Sequence, residues 1–229
     1  MEKRAVIAGA TGMIGSLVLK NCLESNNIEH VVSLVRKSSG EKHSKKTEVE
    51  IDNFEDYSHQ ANLFKNIDVA FFCVGVYSGN VSDTDFRKVT FNYAIAFAEA
   101  VEKNSPSANL CLLSGMGADR TGKSKTAFAK YKGMAETSIS TMMPKRFFTF
   151  RPGYIYPVLK RKEPNFGYTI ARFLYPALKL LGKKFSIKST ELAEAMFKVG
   201  LHGTSKEILE NLDILDMVTA YSNSVSESP

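Results

Sequence analysis

Three glycines at a spacing of three, Gly9, Gly12 and Gly15, follow an uncharged apolar run from Ala5 to Ala8 and accompany Ile14, Leu17 and Val18 at helical spacing. The run reads as a buried strand, and the pattern after it as a helix that opens at the glycines. A strand, a tight turn and a helix start together make an anion site, because free backbone N–H groups and the positive end of the helix dipole converge there. Gly9 permits the turn, Gly12 lets backbone approach a phosphate, and Gly15 lets the helix pack closely on the strand. In this reading the pyrophosphate of a dinucleotide rests on Thr11, Gly12, Met13 and Ile14.

A second recognition group stands at the end of the next β-branched run, His30 to Val35, as the pair Arg36-Lys37. In nucleotide-binding α/β folds this strand tip meets the adenosine ribose. An acidic residue there suits a free 2′-hydroxyl, and an arginine suits a 2′-phosphate. The basic tip favours NADP, with NAD as the alternative. Asp52, at the end of a short alternating strand from Glu48 to Ile51, is placed either to bond an adenine amino group or to cap the next helix.

The elements that must hold these groups alternate. After a polar, lysine-rich loop (Ser38 to Lys46) and a short helix (Asp56 to Lys65), the run Asp68 to Gly75 reads as a fourth strand, apolar enough for burial on both faces of a parallel sheet. Val74 and Gly75 at its end allow backbone to approach a cofactor, and Tyr77 to Asp85 forms a polar rim on the same edge. A long helix follows (Phe86 to Glu102), with Val89, Tyr93, Ala96, Phe97 and Ala100 facing inward. Then come a strand (Asn109 to Leu113), a Ser114-Gly115-Met116-Gly117 turn, a helix (Lys125 to Met142) and a strand (Phe147 to Phe150), stopped by the prolines and glycine of Arg151 to Pro157. Such alternation predicts a Rossmann-like, doubly wound parallel α/β sheet with ligands at the strand C-termini. The last third predicts helical additions: Phe166 to Leu181 broken by Pro176, Glu191 to Leu201 capped by Ser189 or Thr190, and Leu209 to Tyr221 before a disordered tail, 222–229. The whole chain, 1–229, reads as one domain, with a cofactor-binding core over 1–157 and a helical part over 158–221.

With 229 residues, 44% hydrophobic and 24% charged, the chain has the composition of a soluble globular protein. A first strand that begins within a few residues of Met1 leaves no room for a signal peptide, and cytoplasm is the expected location. The net charge of +6 is spread along the chain with no nucleic-acid motif, which argues against nucleic acid as a partner. Its three cysteines, Cys22, Cys73 and Cys111, lack metal-ligand spacing and read as buried thiols of a reducing compartment. The basic residues Lys160, Arg161, Lys162, Lys183 and Lys184 flank the aromatic Phe166 to Leu181 segment, which makes it a core, oligomer or peripheral membrane surface.

The turn Gly9-Ala-Thr-Gly-Met-Ile-Gly15, the tip at Arg36, the strand end Leu112-Leu-Ser114 and the segment Arg151-Pro-Gly153 resemble the atypical short-chain dehydrogenase/reductases. The runs Leu112 to Arg120 and Lys132-Gly-Met-Ala-Glu136 are similar to the Tat-interacting oxidoreductase-like branch. The resemblance spans residues 4 to about 182. It implies a serine that orients the substrate oxygen, matched by Ser114, and a lysine that holds the nicotinamide ribose, matched by Lys132. Four residues before the lysine the family carries a tyrosine that transfers the hydroxyl proton; here that position is Phe128. Tyr131 lies about 100° away around the helix, and Tyr77, Tyr154 or Tyr156 could supply a hydroxyl from a loop. Tyr154, after a strand terminus, is also a candidate nicotinamide contact. Asn92 matches a family asparagine loosely, and Arg151 reads as a structural pair at a strand end. The resemblance thus implies an NADPH-dependent reductase of a carbonyl substrate with a degenerate site. The alternative is an NADP(H)-binding sensor or scaffold, without turnover, read by a protein or membrane partner.

Overall fold

A computed structural model describes residues 2–77, 79–158 and 184–226. Its centre is a seven-stranded, wholly parallel sheet. In chain order the strands are β1 (Lys3–Ala8), β2 (Ile28–Val35), β3 (Lys46–Glu50), β4 (Val69–Phe72), β5 (Asn109–Leu113), β6 (Phe147–Arg151) and, numbered after the pair described next, β9 (Ile208–Glu210). Across the sheet they run β3-β2-β1-β4-β5-β6-β9. The doubly wound Rossmann-like fold is as expected. The chain walks outward from β1 to β3, then crosses back to β4 on the other side of β1. That reversal opens a crevice at the C-terminal ends of β1 and β4.

Successive residues of each inner strand feed opposite faces, so both faces are buried. Ala5, Ile7 and Phe71 join one core with Val18 and Cys22 of α1 (Gly15–Glu24) and Leu192, Met196 and Val199 of a late helix, α5 (Ser189–His202). Val6, Ala8 and Phe72 join the other with Phe97 and Val101 of α3 (Tyr93–Asn104) and Ala135 and Ile139 of α4 (Ala127–Met142). Burial on two sides is why these strands are apolar without alternation. Cys22, Cys73 and Cys111 are buried free thiols within the first core.

Several segments differ from expectation. The helix expected over Phe86–Glu102 is α2 (Asp83–Arg87), a wide turn over Lys88–Asn92, and α3. The Tyr93 N–H reaches back five residues to the Lys88 carbonyl. The extra residue shifts the helical phase. Phe86, Thr90, Ala94, Phe97, Ala98 and Val101 are buried, whereas Val89, Tyr93, Ala96 and Ala100 are only partly so. Asp56–Lys65 is a short 3-10 segment, Ser58–Phe64. The loop after Arg36 is tied down: Glu48 accepts from the Ser38 hydroxyl, the Ser39 amide and the Ser39 hydroxyl at 2.7–2.8 Å, and Glu50 from the Ser38 amide at 2.8 Å. Burial pushes the Glu48 carboxyl up, but these bonds and Lys46 outweigh it and bring it down to about 2.

Regular structure does not stop after Arg151. Strand β7 (Tyr154–Tyr156) pairs in parallel with β8 (Ser186–Lys188). The segment expected as helix from Leu209 begins with β9, a further strand of the main sheet, and continues as α6 (Asn211–Ser226) into the expected tail. Helix α5 starts at Ser189 itself. The Lys188 amide donates to Glu191 at 2.9 Å, and the Ser189 hydroxyl accepts from Val158 N at 3.1 Å. The expected Phe166–Leu181 helix, Pro176, Lys160, Arg161, Lys162 and Lys183 lie outside the described residues, as do 227–229.

A buried amide ties the start of α6 to β8 and to the turn before β7. Asn211, 1% exposed, accepts from the Gly153 N–H at 2.8 Å and donates to the Ser186 carbonyl at 3.0 Å. Asn211→Ala would strand both backbone groups away from water. A loss of about 1–3 kcal/mol is expected in denaturant unfolding.

Candidate active site

The turn after β1 is held by backbone packing. Gly9 adopts φ 87°, and a Cβ on it would lie 2.7 Å from the Cys73 carbonyl carbon and 2.8 Å from Val74 N. A Cβ on Gly15 would lie 2.1 Å from the Gly9 oxygen. Both positions therefore require glycine, and together they press the start of α1 onto the turn and the turn onto the end of β4. The Gly12 N–H closes the turn on the Gly9 carbonyl at 2.9 Å. Past it lie the Met13 and Ile14 amides that lead into α1, whose own Ser16 and Val18 N–H groups already donate to the Gly12 and Ile14 carbonyls at 2.9 Å.

A cleft opens beside this turn, lined by Gly9, Thr11, Gly12, Leu34, Val35, Arg36, Phe54, Cys73, Val74, Gly75, Val76, Val89 and Tyr93. Of the residues assigned from sequence, Gly9, Thr11, Gly12, Arg36, Val74 and Gly75 come together here. Met13 lines an adjoining hollow with Thr11, Gly12, Ser16, Leu17, Pro157 and Ser189. Ile14 and Gly15 are buried beneath the turn as packing residues. Three assignments fall elsewhere. Lys37 is exposed past the strand tip, Asp52 is exposed and lines neither space, and Tyr154 is engaged in β7, its N–H on the Phe185 carbonyl at 2.8 Å. Leu34 and Val35 end β2, and their apolar character was absorbed into the strand pattern. Phe54, Val76, Val89 and Tyr93 were missed as well. The wide turn at Lys88–Asn92 aims Val89 and Tyr93 into the cleft, and the rings of Tyr93 and Phe54 lie 5.6 Å apart. Asn92 stays outside, donating to Glu55 at 2.7 Å.

A second cluster, whose residues line neither of these spaces, is built on the ends of β5 and β6 and on α4. Glu136, 0% exposed, accepts from the Ser114 hydroxyl at 2.6 Å, from Arg120 Nε at 2.9 Å, and from Arg151 at 3.0 and 2.5 Å. Arg151 also meets Glu210 at 3.1 Å, and Arg120 meets Glu207 at 2.7 Å. Burial alone would push the Glu136 carboxyl up, but hydrogen bonds from Arg151, Ser114 and Arg120 outweigh it and hold it below the usual range. Sequence reading placed Arg151 in a structural pair, as observed, but gave Glu136 no role. A glutamate four residues after a lysine is an ordinary helix pattern, so its burial had no local signal.

Lys132, one turn before Glu136, donates from Nζ to the Leu113 carbonyl at 3.2 Å and lies 5.6 Å from the centroid of the Phe128 ring. The ring tip occupies the space above Gly115, where a Cβ would lie 2.6 Å from Phe128 Cζ. Loss of water around the ammonium pushes Lys132 down to about 8, against the pull of the Glu136 charge. Tyr131 points the other way, donating to Asp83 of α2 at 2.7 Å.

These residues fit a dinucleotide. The glycine turn presents bare backbone and amides to a pyrophosphate, the apolar cleft can take a base, and Arg36 stands at its edge. A family model described as NAD(P)H-binding matches residues 9–145. Protein FMP52, mitochondrial, of Eremothecium gossypii is 25% identical over 93% of this chain and 96% of that protein. Two solved structures share the fold. The enzyme WbmF of Bordetella bronchiseptica, in complex with NAD+, aligns with TM-score 0.67 and 16% identity over 100% of this chain and 80% of its own. A UDP-N-acetylglucosamine 4-epimerase of Methanobrevibacter ruminantium M1, in complex with UDP-N-acetylmuramic acid, aligns with TM-score 0.69 and 17% identity over 91% of this chain and 76% of its own.

Glu136→Gln removes the charge that two arginines share and should cost about 3–5 kcal/mol of unfolding free energy. Because the folded carboxyl titrates below its unfolded value of 4.5, its contribution is complete above that value and is lost as pH falls beneath it. Wild-type stability measured against pH should therefore drop on the acid side, and the variant should show a shallower drop.

Proposed function

This chain belongs to the NAD(P)H-binding family, and on that premise we propose that it is an NADP(H)-dependent reductase of a carbonyl substrate. We place it among the atypical short-chain dehydrogenase/reductases, near the Tat-interacting oxidoreductase-like branch. The observation that supports the reading is the Lys132 ammonium on the carbonyl of Leu113, the last residue of β5 and the neighbour of Ser114, in a chain whose β1 turn offers bare backbone to a dinucleotide. Bound there, reduced nicotinamide supplies a hydride. The chain's own residues bind and orient. The turn from Thr11 to Ile14 holds the pyrophosphate, Arg36 holds a 2′-phosphate in preference to a free hydroxyl, and Lys132 holds the ribose. Ser114 meets the substrate oxygen. Among the described residues no helix is long and apolar enough to cross a membrane, and we assign the protein to the cytoplasm, although its FMP52 relative is named mitochondrial.

A specific observation favours a second reading, a cofactor-loaded sensor or scaffold read by a protein partner. Phe128 stands in the tyrosine position with its ring packed over Gly115, and the Ser114 proton is given to Glu136. The two readings part on turnover. NADPH oxidation across a panel of aldehydes and ketones should be measurable in the wild type. Phe128→Tyr, which adds the hydroxyl that this position carries in the family, should raise it. NADPH binding without oxidation in either form contradicts the reductase and leaves the sensor.

A further inference from the structure

The hydrogen-bond senses around the end of β5 are fixed unevenly. The Ser114 hydroxyl has given its proton to a carboxylate 2.6 Å away, one already held by Arg120 and Arg151. A serine so bound offers only lone pairs on its open side. Phe128 has no proton to give, and the Tyr131 hydroxyl is directed at Asp83 on the far side of α4. Lys132 is the opposite case. Its ammonium has three protons and no acceptor capacity, and its bond to the Leu113 carbonyl uses one of them. It stands between the residue preceding Ser114 and the ring in the tyrosine position.

We infer that Lys132 itself delivers the proton to the substrate oxygen, and that Ser114, turned by Glu136, receives the hydrogen bond of the alcohol so formed. The inference rests on the reductase reading. In balance, the carbonyl carbon gains a hydride with its electron pair from reduced nicotinamide, which is thereby oxidised. The C=O π pair moves onto oxygen, and oxygen takes a proton from Nζ as that N–H bond breaks. Lys132 is left a neutral amine and regains a proton from water. Burial supports the role, because an ammonium pushed down to about 8 gives up its proton near neutral pH far more readily than an exposed lysine. The charged group facing it is Glu136 on its own helix. Arg120 from the turn after β5 and Arg151 from β6 lie on that carboxylate and offset its charge. The ammonium is therefore not locked in place by an ion pair.

Lys132→Arg separates binding from proton delivery, since a guanidinium keeps the charge and the donors for a ribose but does not deprotonate in this range. The NADPH Kd of the wild type and of the variant is read by fluorescence titration, beside the NADPH oxidation rate against pH. The lysine Cε and Nζ resonances are titrated in the labelled protein without cofactor. The expected result is a lysine signal, absent from the variant, that titrates near pH 8, with a wild-type rate that falls as pH rises through that value. The variant should bind NADPH within about threefold of wild type and lose about a hundredfold or more of the rate. A variant that keeps its rate, or a Lys132 signal titrating above pH 10, overturns this inference and leaves the reductase reading intact. Bound NADPH with no oxidation by the wild type overturns both.

Discussion

The site depends on one backbone contact, the seat of the turn after β1 against the end of β4. Gly9 and Gly15 leave no volume between the turn, the start of α1 and the Cys73–Val74 backbone. Any side chain there would lift α1 off the sheet and close the crevice from within. Because β1 and the central strand β4 are the neighbours between which the strand order reverses, this contact also fixes where the chain changes direction across the sheet. The position that needs bare backbone for packing is thus the same one that offers bare backbone to a phosphate. Arg36 at the tip of β2 and Val89 and Tyr93 beyond the wide turn are arranged around it.

The second organising feature is electrostatic. A single carboxylate, Glu136, gathers Ser114 and Arg120 from the connection between β5 and α4 and Arg151 from β6 and, through the arginines, reaches Glu207 before β9 and Glu210 at its end. A charge so deep is tolerated only with such partners. The consequence for chemistry is local. The cluster fixes the sense of the Ser114 hydrogen bond and, with its charge matched, leaves Lys132 as the mobile proton in the neighbourhood.

Much of the architecture was legible because it is written in local patterns. Apolar strands closed by glycines, separated by helical spacing, lead to a doubly wound parallel sheet, and Gly9, Gly12, Arg36, Val74 and Gly75 do share one cleft. What escaped notice depends on partners distant in sequence. The wide turn at Lys88–Asn92 turns Val89 and Tyr93 from expected core residues into cleft walls. Strand β9 is three residues long and pairs with β6, whose register its own sequence does not announce. Strand β7, which pairs with β8, lies between Pro152 and Pro157, two prolines that read as a stop. Lys37 and Asp52 follow the tips of β2 and β3, yet both are exposed and line no part of the cleft, and the loop after Lys37 is drawn toward Glu48 and Glu50.

A dinucleotide in the cleft beside Gly9, its 2′-phosphate bound by Arg36, is the premise of the reaction proposed above. Titration of the wild type and of Arg36→Ala with NADPH and with NADH tests it most directly. A charge-assisted bond of about 1.5–3 kcal/mol predicts roughly tenfold or greater preference for NADPH in the wild type, erased in the variant by weaker NADPH binding alone. Equal affinity for the two dinucleotides in the wild type, or binding of neither, would contradict the account.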